Sequence, residues 1–346
     1  MHIGAHPGRI LLVALLCTAG ASAQQKSPPT PLGHGKISLD VVVTQKSGQP
    51  VTDLQQQDFT LLDNKAPQTI TSFKAVSARE AQVAVILVMD AVNTGYAREA
   101  SARSEIDKLL RTDGGHLAYP TALAMFTDTG VQMEGNSSTD GNALSASLDR
   151  ESMALRTITG SSNHGDADRY DLSLQALGQL VSSVTLHPGR KLMLWVSPGW
   201  PLLAGPRVNF EAKQQRRVFA EVVSLSTQLL QARITLFCVD PMGASENIAR
   251  ESDYQAFLKG ISKPNQVQPG NLGLQVLAIQ SGGQVFTGSN DPARLLQECV
   301  SAYASYYEIS FDAPAAEWTD EYHHLEIKLA KRGLIAHTRQ GYYAEP

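Results

Sequence analysis

The stretch Val83-Ala84-Val85-Ile86-Leu87-Val88-Met89-Asp90, followed by Ala91-Val92-Asn93-Thr94, decides how this chain is read. An unbroken apolar run stops on an acid, then passes to amide and hydroxyl side chains. A strand buried on both faces of a parallel sheet reads as such a run rather than as an alternation. A polar break at its C-terminal end marks the place where an open α/β sheet binds ligands.

Working outward, the same grammar repeats. Apolar runs at 122–126, 191–196, 234–239 and 284–286 predict further strands, with a short edge strand at 131–134. Between them the spacing is helical. Leu174, Leu177, Leu180, Val181 and Val184 form one stripe, Phe219, Val222, Val223, Leu229 and Leu230 a second, and Leu296, Cys299, Val300 and Tyr303 a third. Strands alternating with helices predict a mostly parallel sheet with helices on both faces.

The flanks read differently. Ile37, Leu39, Val41 and Val43 alternate; Lys46-Ser47-Gly48-Gln49-Pro50 is a turn; 59–62 and 68–73, joined by Asp63-Asn64-Lys65, read as a hairpin. Past Tyr306 the alternation returns at Tyr307, Ile309 and Phe311, at Leu325, Ile327 and Leu329, and in a last strand over 334–338. A two- or three-stranded unit is marginal alone. The economical arrangement pairs residues 36–77 with residues 306–346 in a small antiparallel β domain, and inserts an α/β domain, 80–305, between them.

Residues 1–23 read as a secretory signal peptide. His2, His6 and Arg9 precede a short apolar run, and Ala21-Ser22-Ala23 offers small residues for cleavage after Ala23. Residues 24–35, with three prolines, read as a linker. The expected location is secreted or periplasmic, and no other stretch is apolar and long enough for a membrane helix. Composition fits a globular chain, with 42% apolar and 18% charged residues and a net charge of −4. No basic stripe is present, so nucleic acid is not an expected partner. Cys238 and Cys299, the cysteines left after processing, sit in apolar settings and are expected as two buried thiols.

Loop lengths point to a face. Connections from helix back to strand are short, whereas those leaving strand C-termini are long, at 197–209 and 240–273. The polar stretch 135–170, with a short helix near 144–148, is expected on the same face, and Arg190 at the opposite end. The candidate ligand-binding face is Asn93, Thr94, Asp128, Asp166, Ser197, Trp200 and Asp240, with Trp200 as an aromatic anchor for a protein partner.

This pattern resembles a von Willebrand factor type A (vWA) domain, and more closely the vWFA-related family of exported proteins described mainly in acidobacteria. Gly48-Gln49-Pro50-Val51, Asp58-Phe59, the Leu87 to Thr94 stretch, Gly189-Arg190-Lys191, Trp195-Val196-Ser197-Pro198-Gly199-Trp200-Pro201, Ile234 to Pro241, Ser281 to Phe286, Tyr306 to Phe311 and Arg339 to Ala344 carry it, in order along the chain. The resemblance implies a Rossmann-like vWA fold and a cell-envelope binding or adhesion role. It also implies a metal-ion-dependent adhesion site beginning Asp-x-Ser-x-Ser. Here that element reads Asp90-Ala91-Val92-Asn93-Thr94, and the later loop offers Ser197 in place of an acid. Val92 cannot ligate a hard cation, which takes oxygen donors. The expected site is therefore degenerate, built on Asp90, Thr94 and Ser197, with weak binding of Mg²⁺ or another divalent cation or none, and with no other cofactor. The bland alternative has Asp90, Asn93 and Thr94 capping the next helix.

Other chemistry weighs less. Ser197 invites an envelope hydrolase, but Trp195 stands where a nucleophile elbow needs glycine. The cluster Asp320, Glu321, His323, His324 and Glu326 lacks a recognised ligand spacing and is expected as a solvated strand end.

Overall fold

The computed structural model describes residues 35–94, 96–155, 165–200, 210–243, 254–289 and 291–344; the segments expected as signal peptide and linker fall outside them, save Gly35. At its centre the unbroken apolar run forms β5 (Val83–Asp90), flanked by parallel neighbours on both sides. One is β6 (His116–Thr127), continued by the antiparallel edge strand β7 (Gly130–Asp140). The other is β8 (Arg190–Val196), followed by parallel β9 (Ile234–Gly243) and β10 (Val285–Gly288), in the order β10-β9-β8-β5-β6-β7. This is a mixed α/β protein with a mostly parallel six-stranded sheet.

Helices cover both faces. On one, α1 (Tyr96–Leu110), α2 (Gly141–Leu155) and α6 (Pro292–Ala304) bury Ile106, Leu148 and Leu296 against Leu87, Leu123 and Leu194. On the other, α3 (Asp166–Val184), α4 (Ala212–Gln231) and α5 (Leu274–Gln280) bury Leu177, Leu180, Val222 and Leu277 against Val88, Met193 and Leu236. Leu and Val alternate across the two layers because successive strand side chains point to opposite faces.

The flanking strands form two four-stranded antiparallel sheets around a third core. β1 (Lys36–Gln45) pairs with β11 (Tyr306–Asp312) and β13 (Leu334–His337), and β11 pairs with β4 (Ile70–Val76). Opposite lie β14 (Gly341–Ala344), β12 (Glu321–Leu329), β2 (Phe59–Asp63) and β3 (Ala66–Gln68). Ile37, Leu39, Leu61, Tyr307, Ile309 and Tyr342 fill the space between them.

Several readings change. The hairpin expected from 59–62 and 68–73 is split: β3 pairs with β2 through a two-residue turn at Asn64 and Lys65, both at positive φ, and β4 then crosses to the other sheet. Pro67 lacks a backbone donor and so sits on the edge strand β3. The edge strand expected at 131–134 runs on to Asp140. Residues 135–140 thus travel to the N-terminal end of the sheet, where His116 faces Asp140, and not to the expected binding face. The short helix near 144–148 is the fifteen-residue α2.

The long connection after β9 also differs from expectation. Its described part, residues 254–273, is a partly buried strap of short 3₁₀ turns, anchored by Tyr254, Phe257, Ile261, Val267 and Leu272. The Tyr343 hydroxyl donates to Ile261 O (3.1 Å), and that of Tyr170 to Pro269 O (2.6 Å). The strap ties the last strand to the helical layer, so most of it is structural.

Candidate functional site

The C-terminal ends of β5, β6, β8 and β9 carry the sequence-predicted site. Asp90 is fully buried, and its carboxylate is already occupied. Oδ1 accepts the backbone N–H groups of Val92 (3.0 Å) and Asn93 (2.8 Å); Oδ2 accepts Asn93 Nδ2 (2.9 Å) and Trp195 Nε1 (2.9 Å). The Ser197 hydroxyl also bonds to it. Burial pushes the Asp90 carboxyl above the usual range, and the Asn93, Trp195 and Ser197 bonds hold it part of the way back. The Thr94 hydroxyl donates to the Asp90 carbonyl rather than to its carboxylate.

This donor set does not fit a tightly held divalent cation. Mg²⁺ demands near-octahedral oxygen geometry. Here five protein donors converge on the one acid, Val92 contributes an isopropyl group, and Ser197 Oγ accepts the Gly199 amide (3.2 Å) besides bonding to Asp90. Among the described residues, no group of three or more His, Cys, Asp or Glu could hold a metal.

The remaining face residues spread along the strand ends. Asn93 Nδ2 also reaches Ser173 Oγ (2.9 Å), about two turns into α3. Asp128 lies in the turn after β6. Asp240, near the end of β9, is buried and engaged. Asp166 is the first residue of α3, and its side chain lies outside the described residues, as do His164 and residues 201–209. The Cys238 thiol is pushed well up by burial and by the charges of Asp240 and Asp90, which makes it an inert thiol. Cys238 and Cys299 are both free and buried.

One property unites these strand ends. Six buried side-chain polar atoms lack a hydrogen-bond partner among the described residues, and four lie here: Asn93 Oδ1, Asp128 Oδ1, Trp200 Nε1 and Gln275 Oε1. Gln275 opens α5 and donates to Pro198 O (3.3 Å), beneath Gly199 at φ +104°, where a Cβ would strike its amide. Two cavities lie elsewhere: one of about 540 Å³ between the 44–50 turn and α6, and one of about 220 Å³ beside His116 and Leu110.

No protein-family model matches this chain, and no curated protein does. Among solved structures it is similar to the PilB minor pilin from Streptococcus sanguinis (TM-score 0.37, 11% identity, 65% of this chain and 60% of the pilin covered). It is also similar to the manganese-loaded TRAP protein of Plasmodium vivax (TM-score 0.32, 10% identity, 83% of this chain and 99% of TRAP covered). The chain thus spans about 60% of the length of the pilin it matches.

Two expected positions need correction. Trp200 is no exposed anchor: it is 3% exposed and packs edge-on to Trp195 at 5.2 Å, in the core on the α4 side of the sheet. A tryptophan following a strand gains more by stacking on a second indole than by facing water. Arg190 is not an open surface at the opposite end. It is 1% exposed, donates to Tyr303 O (2.6 Å) and Thr235 Oγ1 (3.1 Å), and lies 3.6 Å from Asp40. Sequence reasoning missed Ser173 and Gln275, and gave Trp195 no part in the site. The one available signal for Gln275 was a polar residue inside the apolar run Leu274-Gln275-Val276-Leu277-Ala278.

Proposed function

We propose that this chain is an exported, non-enzymatic recognition module of vWA type. On this reading it binds a protein partner at the C-terminal end of its six-stranded sheet through a degenerate adhesion site that needs no tightly held cation. The observation that carries the reading is the gathering of partnerless buried polar atoms at this one end. An unsatisfied buried donor or acceptor costs about 1–3 kcal/mol, and folds tolerate such costs at functional sites. Asn93 Oδ1, Asp128 Oδ1 and Gln275 Oε1 are open acceptors beneath this end, a set suited to amide and basic groups of a protein, while Trp200 Nε1 lies in the core. The saturated Asp90 supports recognition without metal. The hydrolase alternative is weakened because Ser197 is buried and its hydroxyl is spent on Asp90.

The test is capture of an envelope partner on the immobilised protein, with and without a chelator. The reading expects a partner retained in chelator and lost from Asn93→Ala and Asp128→Ala. It expects the same partner on Leu186→Asp, which alters a side chain 92% exposed at the other end of the sheet. Loss on Leu186→Asp with retention on the other two overturns it.

A further inference from the structure

In the acidic and histidine-rich segment near 320–326, His324 and Glu326 face solvent as expected, but His323 does not. His323 points into the β sandwich and is 4% exposed. Its Nδ1 lies 2.9 Å from Asp63 Oδ1 on β2. Its Nε2 is buried without a hydrogen bond and faces Glu321 Oε2 at 3.9 Å. The Tyr342 hydroxyl on β14 donates to the other Asp63 oxygen at 2.7 Å, and its ring lies against the imidazole at 5.1 Å between centroids. The charged groups facing the ring are thus Asp63 from β2 and Glu321 from its own strand, β12; β14 contributes a neutral phenol. The Glu321 oxygen is itself fixed by the Glu317 amide (2.6 Å).

We propose that His323 is a proton-operated latch that fastens the C-terminal strand β14 in mildly acidic surroundings. The geometry makes the argument. An imidazole with a carboxylate beyond each ring nitrogen satisfies both only when both nitrogens carry hydrogen. Loss of the proton leaves the buried Nε2 lone pair, which has no hydrogen bond, aimed at the Glu321 carboxylate, an unfavourable contact. The two carboxylates outweigh burial, which acts the other way, and raise the affinity of the ring for its proton above that of a free histidine. A group bound to its proton more tightly in the folded state adds stability that is complete below the unfolded value of about 6.5 and is lost as pH climbs through the folded value.

The latch holds more than the sandwich. β14 carries Tyr342 on one face and Tyr343 on the other; Tyr343 packs edge-on against Phe219 of α4 (6.1 Å) and donates to Ile261 in the strap. Fastening the strand at His323 therefore also steadies the seam between the sandwich and the helical layer. Release should show first in β14 and in residues 254–263.

The experiment compares thermal melts and amide hydrogen exchange of the full chain at pH 5.5 and pH 8 with those of His323→Gln and Glu321→Gln. The wild type should lose at least about 2 °C more than His323→Gln over this interval. Its β14 amides should exchange faster at pH 8 after correction for intrinsic rates. Glu321→Gln, which changes a partly accessible side chain and leaves the Asp63 bond in place, should fall between the two. If His323→Gln does not fold, the Glu321→Gln comparison and the NMR titration of His323 in the wild type decide. Equal pH dependence in wild type and variants, or a His323 midpoint below 6.5, overturns the proposal.

Discussion

The two ends of the six-stranded sheet differ in how completely their buried polar groups are satisfied. At the N-terminal end, beneath the sandwich, charge is abundant and mostly answered, with Arg190 Nε the one buried polar atom there that has no hydrogen bond among the described residues. Lys191 donates to His187 O (2.5 Å) and Ala232 O (2.9 Å), and Arg233 binds Asp40 (2.5 Å) and Glu308 (3.1 Å). Arg190 lies over the Tyr306 ring at 5.1 Å besides its bonds to Tyr303 and Thr235. At the C-terminal end Asp90 is saturated and Asp240 engaged, yet four buried polar atoms have no hydrogen-bond partner among the described residues. A buried charge is tolerated when it is paired and hydrogen-bonded. A buried polar atom left unpaired is a local cost that the fold does not need. The first end is built to hold two layers together; the second has the character of a site.

Substitutions can break or sharpen that contrast. The largest effect is expected from Arg190→Glu. It removes a buried cation and places an acid beside Asp40, so the loss should be about 3–5 kcal/mol, read as a collapse of the melting temperature. A melt within a degree or two of wild type would mean that this end is an open surface after all. Trp200→Ala should cost about 3 kcal/mol through the cavity it leaves beside Trp195. Denaturant unfolding checks this, and a near-neutral result would return Trp200 to the surface. Val92→Ser with Ser197→Asp supplies the missing oxygen donors. It should make the protein less stable in chelator and restore about 2–3 kcal/mol at a cation concentration a hundredfold above the dissociation constant. Val92→Ser alone should show no such rescue in the same melts. The smallest loss of stability belongs to Asp128→Ala, which removes a buried oxygen without a partner and should leave stability unchanged or raise it by about 1 kcal/mol. Its effect on partner capture should nonetheless exceed that of Leu186→Asp.

What the sequence disclosed follows from where periodicity is strong. β5 was legible because a strand buried on both faces admits nothing but apolar side chains, and α4 because Phe219, Val222 and Leu229 keep a helical spacing. α1 was not, since its buried face rests on Ala102, Ile106 and Leu110 within a mostly polar stretch. The far half of β7 was missed because Gly135-Asn136-Ser137-Ser138-Thr139 on an exposed edge carries no alternation. The strap at 254–273 has no period at all, and its burial depends on partners far along the chain, such as Tyr170 and Tyr343. The short strand β14 was read only as a matching tail. At the site, Asp90 and its neighbours stood out as a polar break after an apolar run. That Trp195 would donate to Asp90 was invisible, because β8 meets β5 only through sheet pairing, with Trp195 opposite Val88. His323 was misjudged for the same reason: its partner Asp63 lies 260 positions away.

The account rests most heavily on Asp90 being saturated by its own protein. The direct measurement is calorimetric titration of Mg²⁺ and Mn²⁺ into the metal-free protein, with melting temperatures recorded alongside. Little heat and no change in melting temperature between chelator and millimolar cation are expected, because stabilisation by a ligand scales with its occupancy. Micromolar affinity accompanied by a rise of several degrees would show that the Asn93, Trp195 and Ser197 bonds give way to a cation, and would contradict the account.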